Sequence, residues 1–134
     1  MQNSFKNLKI YEKSYKAAKA IYLSISSKFP EEERYGLKSQ INRASMSIPL
    51  NIAEGYSKGD STREMLRFMY MARGSVSEVL VLLDFAKDFA FITEKEHESA
   101  TKEYSEIGRM LTKFIQNYKK QTHSLFANHY SLRG

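Results

Sequence analysis

Apolar residues recur at steps of three and four along most of the chain, the period of helices that bury one face. The first such run covers about residues 5–28, where Leu8, Tyr11, Tyr15, Ala18, Tyr22, Ile25 and Phe29 line up as one seam. Phe29-Pro30 ends it. Pro30 then suits the first turn of a second helix, over about 31–55, because its missing N–H costs nothing there. Glu31, Glu32 and Glu33 place negative charge at the positive end of that helix dipole. Gly55 is expected to cap its C-terminus. Ser61-Thr62-Arg63-Glu64 and Thr93-Glu94-Lys95-Glu96 are capping boxes that open helices over about 62–91 and 94–120. The third helix carries Met65, Phe68, Ala72, Ser75 or Val76, Val79, Leu82 or Leu83, and Ala86 on its seam. The fourth carries His97, Ala100, Tyr104, Ile107, Leu111, Phe114 and Tyr118. Past Gln121 the period is lost, so the tail is expected to be frayed and flexible or ordered only by a partner. With no strand pattern, repeat or linker, the expected fold is all-α: a single domain over 1–134, an antiparallel up-down-up-down four-helix bundle.

One stretch departs from this pattern. In Ser47-Ile48-Pro49-Leu50-Asn51-Ile52-Ala53-Glu54-Gly55 a proline interrupts an apolar helical face. Proline removes one N–H and collides with the carbonyl four residues back, here that of Ser45, at a cost of about 3 kcal/mol. Leu37, Ile41, Ala44, Ile48 and Ile52 nevertheless keep steps of 4, 3, 4 and 4 through it. That favours a continuous helix kinked at Pro49 over two helices parted by a loop. Asn51 and Glu54 are expected to be hydrogen-bonded inside the bundle or at a subunit contact. Glu54 and Glu78 are expected as buried carboxylates accepting from Asn51, Ser75, Ser47 or Arg43. Gly74 and Ser75, small residues in mid-helix, are expected to mark the closest approach of the second helix, because a glycine there costs about 1 kcal/mol relative to alanine.

Composition narrows the class. Of 134 residues, 42% are hydrophobic and 27% charged, the balance of a soluble globular domain. The longest apolar run, Val79 to Leu83, is far too short to span a membrane, and the N-terminus lacks the apolar core of a signal peptide. There is no cysteine, hence no disulfide and no thiolate chemistry. The expected location is the cytoplasm. Net charge is +6, and residues 1–30 hold six lysines against one acid. Lys6, Lys9, Lys13, Lys16 and Lys19 form a stripe well away from the apolar seam. Such a stripe serves either as a solvated face or as a contact for a polyanion. In the fourth helix an acidic first half and a basic end (Arg109, Lys113, Lys119, Lys120) suit the dipole, so much of that charge reads as structural.

Catalytic chemistry finds little support. A di-metal bundle needs two Glu-x-x-His pairs, and only Glu94 to His97 has that spacing. His123 and His129 match no ligand spacing. There is no phosphate-binding glycine loop and no nucleophile elbow. No metal, no cofactor and no enzymatic activity are expected.

The stretch Ser47–Gly55, followed by Phe68-Met69-Tyr70-Met71-Ala72-Arg73-Gly74-Ser75-Val76-Ser77-Glu78, resembles the bacterial four-helix-bundle family of the 23S rRNA intervening-sequence proteins. Leu8-Lys9-Ile10-Tyr11, Phe29-Pro30 and Tyr35-Gly36-Leu37 fit as well, so the resemblance covers about residues 5–120. It implies a ring-like homopentamer. It also implies kinship with accessory proteins of diversity-generating retroelements, which bind a reverse transcriptase and nucleic acid through basic surfaces. The chain departs from the family at Leu50, where a small residue is expected, and at Met69 and Met71. The expected function is a non-enzymatic oligomeric adaptor that binds RNA or DNA. The binding residues are taken as Lys6, Lys9, Lys13, Lys16 and Lys19, with Lys58, Arg63 and Arg67 as secondary candidates. The alternative is a protein-binding scaffold for an acidic partner, such as a reverse transcriptase complex, without nucleic-acid contact.

Overall fold

The computed structural model describes residues 4–58 and 61–133, with side chains described through residue 121. Four helices carry the fold: α1 (Lys9–Ala20), α2 (Leu37–Lys58), α3 (Thr62–Asp88) and α4 (Glu94–Arg133). No strand occurs among the described residues. A short 3₁₀ turn, Phe5–Asn7, precedes α1, and α1 runs on through a π turn, Ile21–Ile25, and a 3₁₀ turn, Ser26–Lys28. The expected first helix of 5–28 is thus a composite. The glutamate run is not the first turn of α2 either. Glu31–Glu33 form a separate 3₁₀ turn, and only Glu33 reaches α2, its Oε1 accepting from Leu37 N–H at 3.0 Å.

The two capping boxes open α3 and α4. Thr93 and Glu96 complete theirs in both directions: Thr93 Oγ1 accepts from Glu96 N–H at 3.1 Å and Glu96 Oε1 from Thr93 N–H at 2.8 Å. Ser61 Oγ accepts from Glu64 N–H at 3.2 Å, but the Glu64 carboxylate turns to Arg67 instead. α3 ends at Asp88 rather than Phe91. Ala90 there takes a positive φ of 62°, and Phe91 N–H reaches back to Ala86 C=O at 2.8 Å. α4 continues to Arg133, well past the end near residue 120 that its apolar period suggested. The expected flexible tail otherwise falls on side chains outside the described residues.

One core runs through all four helices, with Ile41, Ile48, Ile52, Met69, Ala72, Val79, Leu83, Ala86, Ile107 and Leu111 sealed from solvent. α2 passes through Pro49 without interruption and buries its ring. The continuous helix is therefore the right choice over the loop, and it also passes Gly55, which is not a C-terminal cap. Gly55 is instead the close-approach glycine between α2 and α3. A Cβ there would meet Phe68 Cβ at 2.8 Å and Met65 C=O oxygen at 3.4 Å. Gly74, expected in that role, is exposed with nothing within 4 Å of its Cβ position. Ser75 does face α2, where its hydroxyl and that of Ser47 hydrogen-bond at 2.6 Å.

The inward face of α1 is displaced from the tyrosine seam. Ile10, Ser14, Ala17, Ile21, Ile25 and Phe29 are buried, whereas Tyr15 is 49% and Tyr22 57% exposed. A serine can occupy the core because its hydroxyl donates to Tyr11 C=O at 3.0 Å. Deeper in, the Tyr104 hydroxyl is buried against Ser45 with no partner at hydrogen-bonding geometry. Burial first, and the Glu103 charge second, push its ionisation well above the ordinary tyrosine range.

Two consequences are measurable. Gly55→Ala should destabilise by about 1–3 kcal/mol through overpacking against Phe68, while Gly74→Ala should stabilise by about 0.5–1 kcal/mol. Urea unfolding of the pair in the opposite order would contradict this placement of the close contact. Tyr104 is raised in the folded state, so the unfolded chain ionises first and stability falls as pH climbs past about 10. Tyr104→Phe should lessen that alkaline loss and leave stability at neutral pH unchanged or higher, by up to about 1 kcal/mol. A large loss at neutral pH would show that the hydroxyl has a partner.

Candidate functional site

The lysine stripe of α1 is less free than its spacing suggested. Lys13 Nζ sits 2.9 Å from Glu103 and 3.6 Å from Glu106, both on α4. The Glu103 hydrogen bond raises its affinity for the proton. Lys16 pairs with Glu12 at 3.2 Å. Lys19 lies over the Tyr15 ring at 5.9 Å. Lys6 and Lys9 are exposed and make no ion pair among the described residues. Of the secondary candidates, Lys58 approaches Glu54 at 4.0 Å and Arg67 is held by Glu64 at 2.6 Å, which raises its already high pKa. Arg67 also rests on the Phe68 ring at 4.6 Å. Arg63 is exposed. The eight candidates are spread over three helices: Lys6 lies in the turn before α1, α1 carries four, Lys58 ends α2, and Arg63 and Arg67 begin α3.

The Pro49 stretch divides as well. Asn51 donates its side-chain N–H to Ser47 C=O at 2.8 Å, as an internal hydrogen-bonding role required. Glu54 does not follow it inward. It is exposed, with a long contact to Lys58 and its charge near Arg67 of α3. Glu78 is exposed too, at the rim of a shallow recess with Arg43, Ser47, Asn51, Met71 and Ser75. Neither is a buried carboxylate.

The tyrosines excluded from the core line a groove between α1 and α2. Tyr11, Tyr15 and Tyr22 form one wall and Met46, Pro49 and Leu50 the other, around about 650 Å³. Leu50 is 64% exposed there. This groove was missed in the sequence because the tyrosines keep the 3/4 period of a core seam. The signal that identifies it is the second period beside it: Ile10, Ser14, Ala17, Ile21, Ile25. Of the histidines, His97 Nε2 contacts Asp84 at 2.7 Å rather than joining Glu94. His123 and His129 lie outside the described side chains. Among the described residues no group of three His, Asp or Glu is placed to hold a metal ion, and no helix is long and apolar enough to cross a membrane.

The sequence profile of the 23S rRNA-intervening sequence proteins matches residues 6–113. The chain belongs to that family. Its fold is similar to that of a crystal structure from Bacteroides thetaiotaomicron, described as a protein of unknown function from the S23 ribosomal protein family. The two share 23% sequence identity and a TM-score of 0.73, over 80% of this chain and 95% of that one. At that identity the likeness speaks for the fold alone. Among curated proteins no relative matches. The family match spans the proline stretch, the groove and the first half of α4, so these features sit on the scaffold that defines the family.

Proposed function

We propose that this member of the 23S rRNA-intervening sequence protein family is a non-enzymatic, oligomeric adaptor that binds RNA or other nucleic acid through basic surface. The observation that carries this is the uneven pairing of its cations: Lys13, Lys16 and Arg67 are held by glutamates, whereas several exposed lysines and arginines make no ion pair among the described residues. Cations left in this state suit phosphate contacts that release counterions, with little base preference.

The assembly is a homo-oligomer, a pentamer by the resemblance to the family. Two unpartnered apolar surfaces support it. One is the tyrosine groove. The other is a ridge at four-residue steps along the end of α3 and its capping residue, Val81, Phe85 and Phe89, exposed at 53%, 48% and 56%. A groove and a ridge on different faces suit a head-to-tail contact, which closes into a ring when the rotation allows. The helices follow an up-down-up-down course. Pairs such as Asp84 with His97 and Arg73 with Thr112 support it, since α4 numbers rise as α3 numbers fall. A bend at Pro49 follows from the lost N–H opposite Ser45 C=O.

The groove also favours a second reading, a scaffold that holds an acidic protein partner, such as a reverse transcriptase complex, without touching nucleic acid. Size-exclusion chromatography with light scattering, at low and high salt and with or without a short structured RNA, separates the two. The adaptor should bind RNA at low salt and release it at high salt. An oligomer indifferent to RNA at every salt concentration would favour the scaffold. Leu50→Glu, which adds charge to an already exposed position, should lower the oligomeric mass while leaving the helical circular dichroism intact. An unchanged mass would remove the groove from the assembly.

A further inference from the structure

The fourth helix carries a basic face that its sequence alone had explained away. If α4 ended near residue 120, Arg109, Lys113, Lys119 and Lys120 would simply complement its dipole. α4 runs to Arg133. The dipole acts within the last turn, and Lys113 lies twenty residues before that end, so the explanation lapses for Arg109 and Lys113.

Their placement has another logic. Lys95, Lys102, Arg109, Lys113 and Lys120 follow one another at steps of 7, 7, 4 and 7. At 100° per residue these steps keep all five within about 20° of a single line. All five are exposed, and the buried Tyr104, Ile107, Leu111 and Ile115 occupy the opposite side of the helix. In the first half, neighbouring Glu98, Glu103 and Glu106 temper the line. From residue 107 to 134 there is no aspartate or glutamate at all. Glu103 and Glu106 are turned to Lys13 of α1, and Asp84 of α3 to His97 near the start of α4, which leaves the second half of α4 without these acids.

Between α3 and that half of α4 the cations are held in place by groups other than acids. Arg73 of α3 donates from Nη1 to Thr112 Oγ1 of α4 at 3.3 Å. Arg73 and Lys119 each lie 5.2 Å from the centroid of the Tyr70 ring, which is itself 37% exposed. Cation–π contacts of this kind position the charges without cancelling them. The result is a fixed cluster (Arg73, Lys119, Tyr70) beside a straight row (Arg109, Lys113, Lys120) about 16 Å long.

We propose that this α3–α4 face, and not the lysine stripe of α1, is where the phosphate backbone of a nucleic acid lies. The proposal rests on the nucleic-acid reading above and adds the surface that performs it. The row supplies successive phosphate contacts, and the Tyr70 cluster fixes the strand at its edge.

The test is a fluorescence-anisotropy titration of the full chain with a labelled RNA hairpin, across a salt series. It compares Arg109→Gln/Lys113→Gln/Lys120→Gln with Lys6→Gln/Lys9→Gln, each checked for unchanged helicity and oligomeric mass. The α4 triple variant should bind about tenfold or more weaker, with the slope of log affinity against log salt reduced by about 2 to 3. The α1 pair should bind within about threefold of the parent. Loss in the α1 pair with an unaffected α4 triple overturns this placement while leaving nucleic-acid binding intact. A parent chain that binds no hairpin even at low salt overturns the nucleic-acid reading and this proposal with it. Equal displacement of the hairpin by polyglutamate would assign the face to an acidic protein instead. Should the triple variant lose its fold, Lys113→Gln and Lys120→Gln singly must each lower the slope, and unchanged slopes would refute the proposal.

Discussion

The approach of α2 to α3 at Gly55 is the contact on which the rest of the bundle is built. With no side chain at that position, Phe68 Cβ comes within a distance that a methyl group would not allow. This sets the spacing at which Ile48 and Ile52 of α2 share one buried core with Met69, Ala72 and Val76 of α3. It also offsets the defect one turn earlier, where Pro49 leaves Ser45 C=O without its helical donor. Packing on both sides of the proline, together with the Ser47–Ser75 and Asn51–Ser47 hydrogen bonds, keeps α2 continuous.

Much of this was legible in the sequence, for identifiable reasons. The capping boxes at Ser61 and Thr93 are local chemistry, and they open helices wherever they occur. The apolar period carried α2 correctly through Pro49 because Ile48 and Ile52 flank it. The errors share a cause: they concern which of two helical faces, or which of two small residues, meets a neighbour. Tyr15 and Ile21 both lie on 3/4 periods, and only the packing of Ser14 and Ala17 decides between them. Gly55 and Gly74 look alike in sequence, but one faces Phe68 and the other faces solvent. Glu54, beside a mid-helix proline, and Glu78, one turn from Ser75, both invite a structural role inside the bundle, yet both are exposed.

The candidate site was less legible than the fold, because pairing across helices is invisible along the chain. Lys13 counts as one more lysine of α1 until Glu103 and Glu106 of α4 appear beside it. The charge of α4 moves in the opposite direction, since its added length removes the helix end that accounted for Arg109 and Lys113. The bundle therefore presents two kinds of surface. An apolar groove on α1–α2 and ridge on α3 suit contact between copies, and an unneutralised basic face on α3–α4 suits a polyanion. The two are built from different side chains, although Val81 of the ridge and Tyr70 of the cluster lie on the same side of α3.

The central claim is the location of that basic face, and photo-crosslinking tests it most directly. A hairpin RNA carrying 4-thiouridine would be irradiated with the intact protein at low salt and the crosslinked peptides mapped by mass spectrometry. The account predicts crosslinks at Tyr70 and in residues 109–120. Crosslinks confined to residues 4–28 would contradict it.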